Sequence, residues 1–126
     1  MLDTRPLLLQ TDFPAINRSV LETLQVNLGY KCNLSCTHCH VNAGPTRTEQ
    51  MDRKTVDLVL EFIHRHPIKT LDLTGGAPEI NVNFKYLVQE ARSTGMEVID
   101  RCNLTIIKEA GFEDMADFLA EQGVTV

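Results

Sequence analysis

The sequence predicts an α/β fold, the N-terminal part of a partial (βα) barrel with parallel strands. Three observations carry this reading. Short segments of alternating polarity at residues 23–28, 70–74 and 96–100 recur with stretches of helical period between them. The first two have one apolar face and one polar face, the latter made of Gln25, Asn27, Asp72 and threonines. A doubly wound sheet reads apolar on both faces, so one polar face points to a curved sheet with helices outside and a polar lumen within. Finally, each segment rich in reactive or glycine residues comes directly after a strand, the end at which βα proteins assemble their sites.

Taken in order, residues 1–22 form an N-terminal arm broken by Pro6 and Pro14, with a short helix expected around 16–21. In the first strand Leu24, Val26 and Leu28 share a face, and Gly29 ends it. Residues 29–51 have no regular period, and a loop that long within a compact domain is usually functional. Asp52 can cap a helix whose apolar stripe is Val56, Val59, Leu60 and Ile63, and which stops before Pro67. The second strand ends at Gly75-Gly76. Asn83 is the expected cap of the next helix, with Phe84, Leu87, Val88 and Ala91 inward and Gly95 as its stop. The third strand runs into Arg101-Cys102-Asn103-Leu104, and a helix over 112–122 buries Met115, Phe118 and Leu119 before Gly123. Val124-Thr125-Val126 reads as the start of a fourth strand that is then cut. An uncovered parallel edge is unusual, so the expectation is the first part of a larger barrel. The right-handed crossover rule then brings the loops after all three strands to one rim.

Composition narrows the function classes. At 126 residues the chain suits one domain, with 43% hydrophobic and 23% charged residues. The net charge of −5, with lysines and arginines scattered, argues against nucleic acid as a partner. No apolar stretch approaches membrane-spanning length, and the opening Met1-Leu-Asp-Thr-Arg-Pro6 does not read as a secretion signal. The expected compartment is the cytoplasm, where closely spaced cysteines are metal ligands or redox groups rather than disulfides.

Three of the four cysteines, Cys32, Cys36 and Cys39, fall within eight residues in the spacing Cys-x3-Cys-x2-Cys. Three such thiolates suit an iron–sulfur cluster with one iron left open. They also allow a structural zinc of Cys3His type completed by His38 or His40. Cys36-Thr-His-Cys39-His40 satisfies the haem-attachment pattern, and Cys36 with Cys39 could form a thiol redox pair. A redox pair leaves Cys32 unexplained, and haem attachment lacks an export signal. Zinc modules usually draw ligands from two separated knuckles rather than one nine-residue run. Elsewhere, Cys102 reads as a small buried hydrophobe, and Asp72 as a lumen-facing or solvated strand residue. His64 and His66 read as surface residues near a helix C-terminus, and Glu109, Glu113, Asp114 and Asp117 as a solvated helix face.

The cysteine spacing after a first strand, followed by Asp72-Leu-Thr-Gly75-Gly76-Ala-Pro-Glu79 after the second, resembles the signature of the radical SAM enzymes over roughly residues 22–126. The runs Lys31-Cys-Asn-Leu-Ser-Cys-Thr-His-Cys-His-Val41, Leu73-Thr-Gly-Gly-Ala-Pro-Glu79 and Val98-Ile-Asp-Arg-Cys-Asn-Leu104 are similar to the arsenosugar-biosynthesis members of that group. The resemblance implies a radical SAM core over residues 23–126. It implies Cys32, Cys36 and Cys39 as ligands of a [4Fe–4S] cluster, whose fourth iron takes the amino and carboxylate groups of S-adenosylmethionine. It implies reductive cleavage of that cofactor to methionine and a 5′-deoxyadenosyl radical, with a methylated arsenical as acceptor. His38 takes the place of an aromatic near the adenine, and Gly75, Gly76 and Ala77 line the methionine end. Ala77 stands where the motif commonly has glutamate, with Glu79 two places on. Asp100 and Asn103, with Arg101, are the pocket-lining candidates after the third strand. The implied partners are a small-molecule substrate and a reductant protein such as a flavodoxin or ferredoxin.

Overall fold

In the computed structural model, residues 3–14 and 17–126 are described. The arm carries one short helix, α1 (Arg5–Leu8), with no buried residue. The helix expected around 16–21 is not found in 17–22, which has no regular structure, and Ile16 lies outside the described residues. A proline at the start of α1 supplies a helical φ without needing a donor, which places the turn upstream of the expected one.

Three parallel strands follow in the order β1 (Thr23–Asn27), β2 (Thr70–Thr74) and β3 (Glu97–Asp100). Leu24 pairs with Leu71, Val26 with Leu73, Leu71 with Val98 and Leu73 with Asp100. Between them lie α2 (Arg53–Arg65), α3 (Phe84–Ser93) and, after β3, α4 (Met115–Glu121). Short 3₁₀ turns occupy Pro78–Ile80 and Ile106–Lys108. Thr125 donates to Val98 O at 2.9 Å and accepts from Asp100 N–H at 2.8 Å, so the last residues pair in parallel with β3 as a fourth strand would.

One core joins the sheet to all three longer helices. Val26, Leu28, Leu71, Leu73 and Val98 pack with Val56, Leu60 and Ile63 of α2, with Phe84, Leu87, Val88 and Ala91 of α3, and with Met115, Phe118 and Leu119 of α4. Because strand side chains alternate, the residues between them face away from these helices. There Asp72 accepts from Gln25 at 3.1 Å and from Arg101 Nε and Nη2, both at 2.8 Å. The helices therefore cover one side of the sheet, and the opposite side is polar, as the strand pattern predicts.

Several local expectations need correction. Asp52 does cap α2, accepting from Thr55 N–H at 2.8 Å. Asn83 makes no side-chain cap on α3. Its own N–H is held by Asn81 Oδ1 at 2.8 Å, and the amide is turned toward Met51 O. Helix α4 starts three residues later than its apolar pattern, because residues 109–114 are taken up by turns. Only Asp117 of the four acids assigned to its solvated face lies within it. Glu109 accepts from Asn33 Nδ2, Glu113 from Gly111 N–H, and Asp114 pairs with Lys85 at 2.6 Å.

Asn81, which the sequence reading passed over, is buried and ties the long loop shut at its base. Its amide donates to Leu28 O and Met51 O, both at 2.9 Å, so one side chain holds the residues on either side of the loop. Asn81→Ala leaves buried groups unpaired, and the expected cost is about 1–3 kcal/mol by urea unfolding.

Candidate functional site

The cysteine loop is docked by backbone pairing that runs past the strand ends. Gly76 N–H donates to Gly29 O at 2.9 Å and Ala77 N–H to Lys31 O at 3.0 Å, joining the two loops just past the strand ends in a register shifted from that of β1 and β2. Lys31 also bridges to Gly44, with Cys32 N–H on Gly44 O at 3.2 Å and Gly44 N–H on Tyr30 O at 3.0 Å. The glycines are needed for contact. Gly75 has φ +141°, and a Cβ there would lie 2.5 Å from Gly29 O. A Cβ on Gly76 would overlap Lys31 O and lie 3.0 Å from Cys32 Cβ. The space left by the missing side chains is thus filled by the backbone that carries the first cysteine.

All four cysteines are free. Cys32 is buried in a small apolar seat with Ala43, Ala77 and Ile106. Its sulfur accepts from Leu34 N–H at 3.4 Å and from Asn103 Nδ2 at 3.5 Å. Cys39 is half-buried, and its sulfur accepts Ala43 N–H at 3.3 Å. Backbone N–H groups of Ala43 and then Val41 hold that thiol below its ordinary range, toward the thiolate a metal needs. Cys36 is exposed, as are His38 and His40. Donors already aimed at two sulfurs, with a third thiol open to solvent, suit three cluster ligands. Among the described residues, the one set of three cysteine, histidine or acidic ligand atoms within 4.8 Å of one another is elsewhere.

Asn103 links this loop to the end of β3. Besides Cys32 it donates to Asn33 Oδ1 at 3.0 Å, and its own Oδ1 accepts from Thr105 N–H, Thr105 Oγ1 and Ile106 N–H. Asn33 in turn donates to Thr105 Oγ1 at 2.9 Å. Asn33 is a residue the sequence reading missed; its position just after a cysteine gave no periodic signal.

Asp100 sits differently from its neighbours. Its register with Leu73 puts it on the helix-facing side of the sheet, 1% exposed. The connection after β2 brings Glu79, 4% exposed, beside it. Burial, and then the charge of Glu79, push the Asp100 carboxyl up to about 8. Cys102 is not a buried hydrophobe but a half-buried thiol next to both acids, and burial followed by Glu79 pushes it up to about 12. Arg101 points the other way, onto Asp72.

Two changes test this geometry. Gly76→Ala forces the two loops apart, with an expected loss of about 1–3 kcal/mol in unfolding experiments. The hydrogen bonds from Arg101 hold the Asp72 carboxyl below its ordinary value. Its contribution is therefore complete above ~pH 4, the unfolded carboxylate range, and fades as pH falls through the lower folded value. Urea titrations from pH 6 to about pH 2 should show an acid limb that Asp72→Asn flattens.

Comparison with known proteins agrees with the geometry. The chain is 36% identical over 67 residues to YydG of Bacillus subtilis, covering 52% of this chain and 20% of that protein. It is 34% identical over 62 residues to the sporulation killing factor maturation protein SkfB of Bacillus subtilis, covering 49% and 15%. It is 30% identical over 63 residues to the GTP 3′,8-cyclase of Chlorobaculum tepidum, covering 50% and 19%. The chain thus spans about a fifth of the length of these curated relatives. Residues 26–126 match the radical SAM superfamily, whose members bind a [4Fe–4S] cluster and S-adenosylmethionine, and this chain belongs to that superfamily.

Proposed function

We propose that this chain is the cluster- and cofactor-binding part of a radical SAM enzyme. One observation carries the reading: the loop bearing Cys32, Cys36 and Cys39 is docked by backbone hydrogen bonds on Gly76 and Ala77. In this reading the three cysteines hold three irons, and the fourth takes the amino and carboxylate groups of S-adenosylmethionine. When bound, the pair would supply radical chemistry by one-electron reductive cleavage of S-adenosylmethionine, with a reductant protein such as a flavodoxin or ferredoxin as the electron source.

The protein's own part is positioning. The apolar seat of Ala43, Ala77 and Ile106 shields Cys32 from water. N–H groups of Leu34 and Ala43 and the amide of Asn103 stabilise negative charge on two ligand sulfurs. Gly75, Gly76 and Ala77 present backbone to the methionine end. His38, exposed on the loop, is free to lie along the adenine. The cytoplasm fits this oxygen-sensitive chemistry. No described helix is long and apolar enough to cross a membrane.

For substrate, we propose a small molecule, a trivalent methylated arsenical. The support is the resemblance of three runs of the sequence to the arsenosugar-biosynthesis members; in the structure those runs lie together at one rim. Ala77 bonds Lys31, Asn103 reaches Cys32, and Glu79 lies beside Asp100 and Cys102.

Anaerobic reconstitution with iron and sulfide should give brown protein with about four irons per chain. Cys36→Ala should lose that iron with an unchanged far-ultraviolet circular dichroism spectrum, because Cys36 is exposed. Colourless protein with about one zinc and no iron would sink the cluster assignment. In the protein that contains this chain, S-adenosylmethionine, a reductant and a trivalent dimethylated arsenical should yield an adenosylated arsenical by mass spectrometry. 5′-Deoxyadenosine without that product would reject the substrate and keep the cofactor chemistry.

A further inference from the structure

The carboxylates of Glu79 and Asp100 are 4% and 1% exposed, and none of their four oxygens has a hydrogen-bond partner. No described lysine, arginine or histidine pairs with either one. Two facing acceptors can bond each other only through a shared proton, which leaves one negative charge and most lone pairs unanswered. Burial without compensation is costly for such groups. A third donor is present. Cys102 Sγ lies with a carboxylate oxygen from each acid in a set whose atoms are all within 4.8 Å of one another. β3 ends at Asp100, and the chain that leaves it carries the Cys102 sulfur alongside that carboxylate. The 3₁₀ turn Pro78–Ile80 brings Glu79 to meet them. The thiol also accepts Leu104 N–H at 3.2 Å, a donor that favours its thiolate form.

We propose that Glu79, Asp100 and Cys102 form a binding site for one divalent cation of the zinc type, separate from the three loop cysteines. Two hard oxygens with one soft sulfur match a borderline ion rather than magnesium or calcium, which take oxygen alone. With zinc bonds of about 2.0–2.3 Å, the edges of a tetrahedron are roughly 3.3–3.8 Å. Ligand atoms already within 4.8 Å of one another approach that size. A bound cation removes the proton from a coordinating thiol outright, so the thiol's high proton affinity does not bar the site. An ammonium group would answer the carboxylates but leave the sulfur unused. Three protein ligands leave a fourth position for water or another ligand. Through Asn103, the residue after Cys102, the site adjoins Cys32. The assignment holds whether or not the loop binds a cluster.

The test uses cobalt(II) as probe, in the 126-residue chain carrying Cys32→Ser, Cys36→Ser and Cys39→Ser so that the loop contributes no thiolate. One cobalt per chain with a thiolate-to-metal charge-transfer band is expected. Cys102→Ser should abolish the band. Glu79→Gln and Asp100→Asn should each weaken binding by more than about 10-fold, the lower end of what even outer-sphere changes cost. Absence of the band, or its survival in Cys102→Ser, overturns the site. If the triple variant does not fold, zinc is counted in the chain with its loop filled by iron and sulfide. One zinc per chain beyond the iron, lost in the Glu79→Gln, Asp100→Asn double variant, supports the site; no such zinc rejects it. If the double variant instead weakens S-adenosylmethionine binding without changing the metal count, the carboxylates serve an amine and the cation site falls.

Discussion

The structure depends on two backbone hydrogen bonds, from Gly76 and Ala77 to the carbonyls of Gly29 and Lys31. Strands β1 and β2 end at Asn27 and Thr74, and beyond them the ladder gives way to these two bonds of shifted register. Those two bonds turn a 23-residue excursion into a loop fixed against the sheet at the residue before its first cysteine. They are possible only because no side chain stands between the two backbones at Gly76, where a Cβ would meet Lys31 O and Cys32 Cβ. Asn81 completes the arrangement from below by gripping Leu28 O and Met51 O. The glycine segment thus has a packing duty, whatever ligand it also meets.

Polarity is sorted by strand alternation. On the side away from the helices, Asp72 is answered by Gln25 and Arg101, as a buried carboxylate requires. On the helix side, the apolar column Leu71, Leu73 and Val98 gives way at the rim to Asp100, which nothing answers. Burying a carboxyl with no hydrogen-bond partner is costly, and this one sits where βα proteins keep their chemistry. That contrast between two aspartates, 28 positions apart and on adjacent strands, separates a structural ion pair from a group held ready for a ligand.

Much of this was legible beforehand for identifiable reasons. Alternation located β1, β2 and β3 to within a residue; the stripe of α3 was recovered residue for residue, and that of α2 at Val56, Leu60 and Ile63, with Val59 only partly buried at its edge. Asp52 was legible as a cap because nothing competes for its side chain. Asn83 holds the N-cap position of α3 as expected, but its side-chain amide is turned to Met51 O, so no cap hydrogen bond forms. Glu109, Glu113 and Asp114 were misread because a helical pattern in sequence does not show where the preceding turns end.

The sequence by itself determined the α/β order, the parallel sense of the sheet, the cysteine spacing and the glycine segment after β2. These are local patterns, set by side-chain period and by backbone freedom. Only the tertiary structure decided that Asn103 reaches Cys32, that Asn33 and Asn81 anchor the loop, and that Glu79, Asp100 and Cys102 converge. Those pairings join residues that share no local period. Their partners are chosen by strand register and by the turns that fold back over the rim, neither of which leaves a mark on any one stretch of sequence.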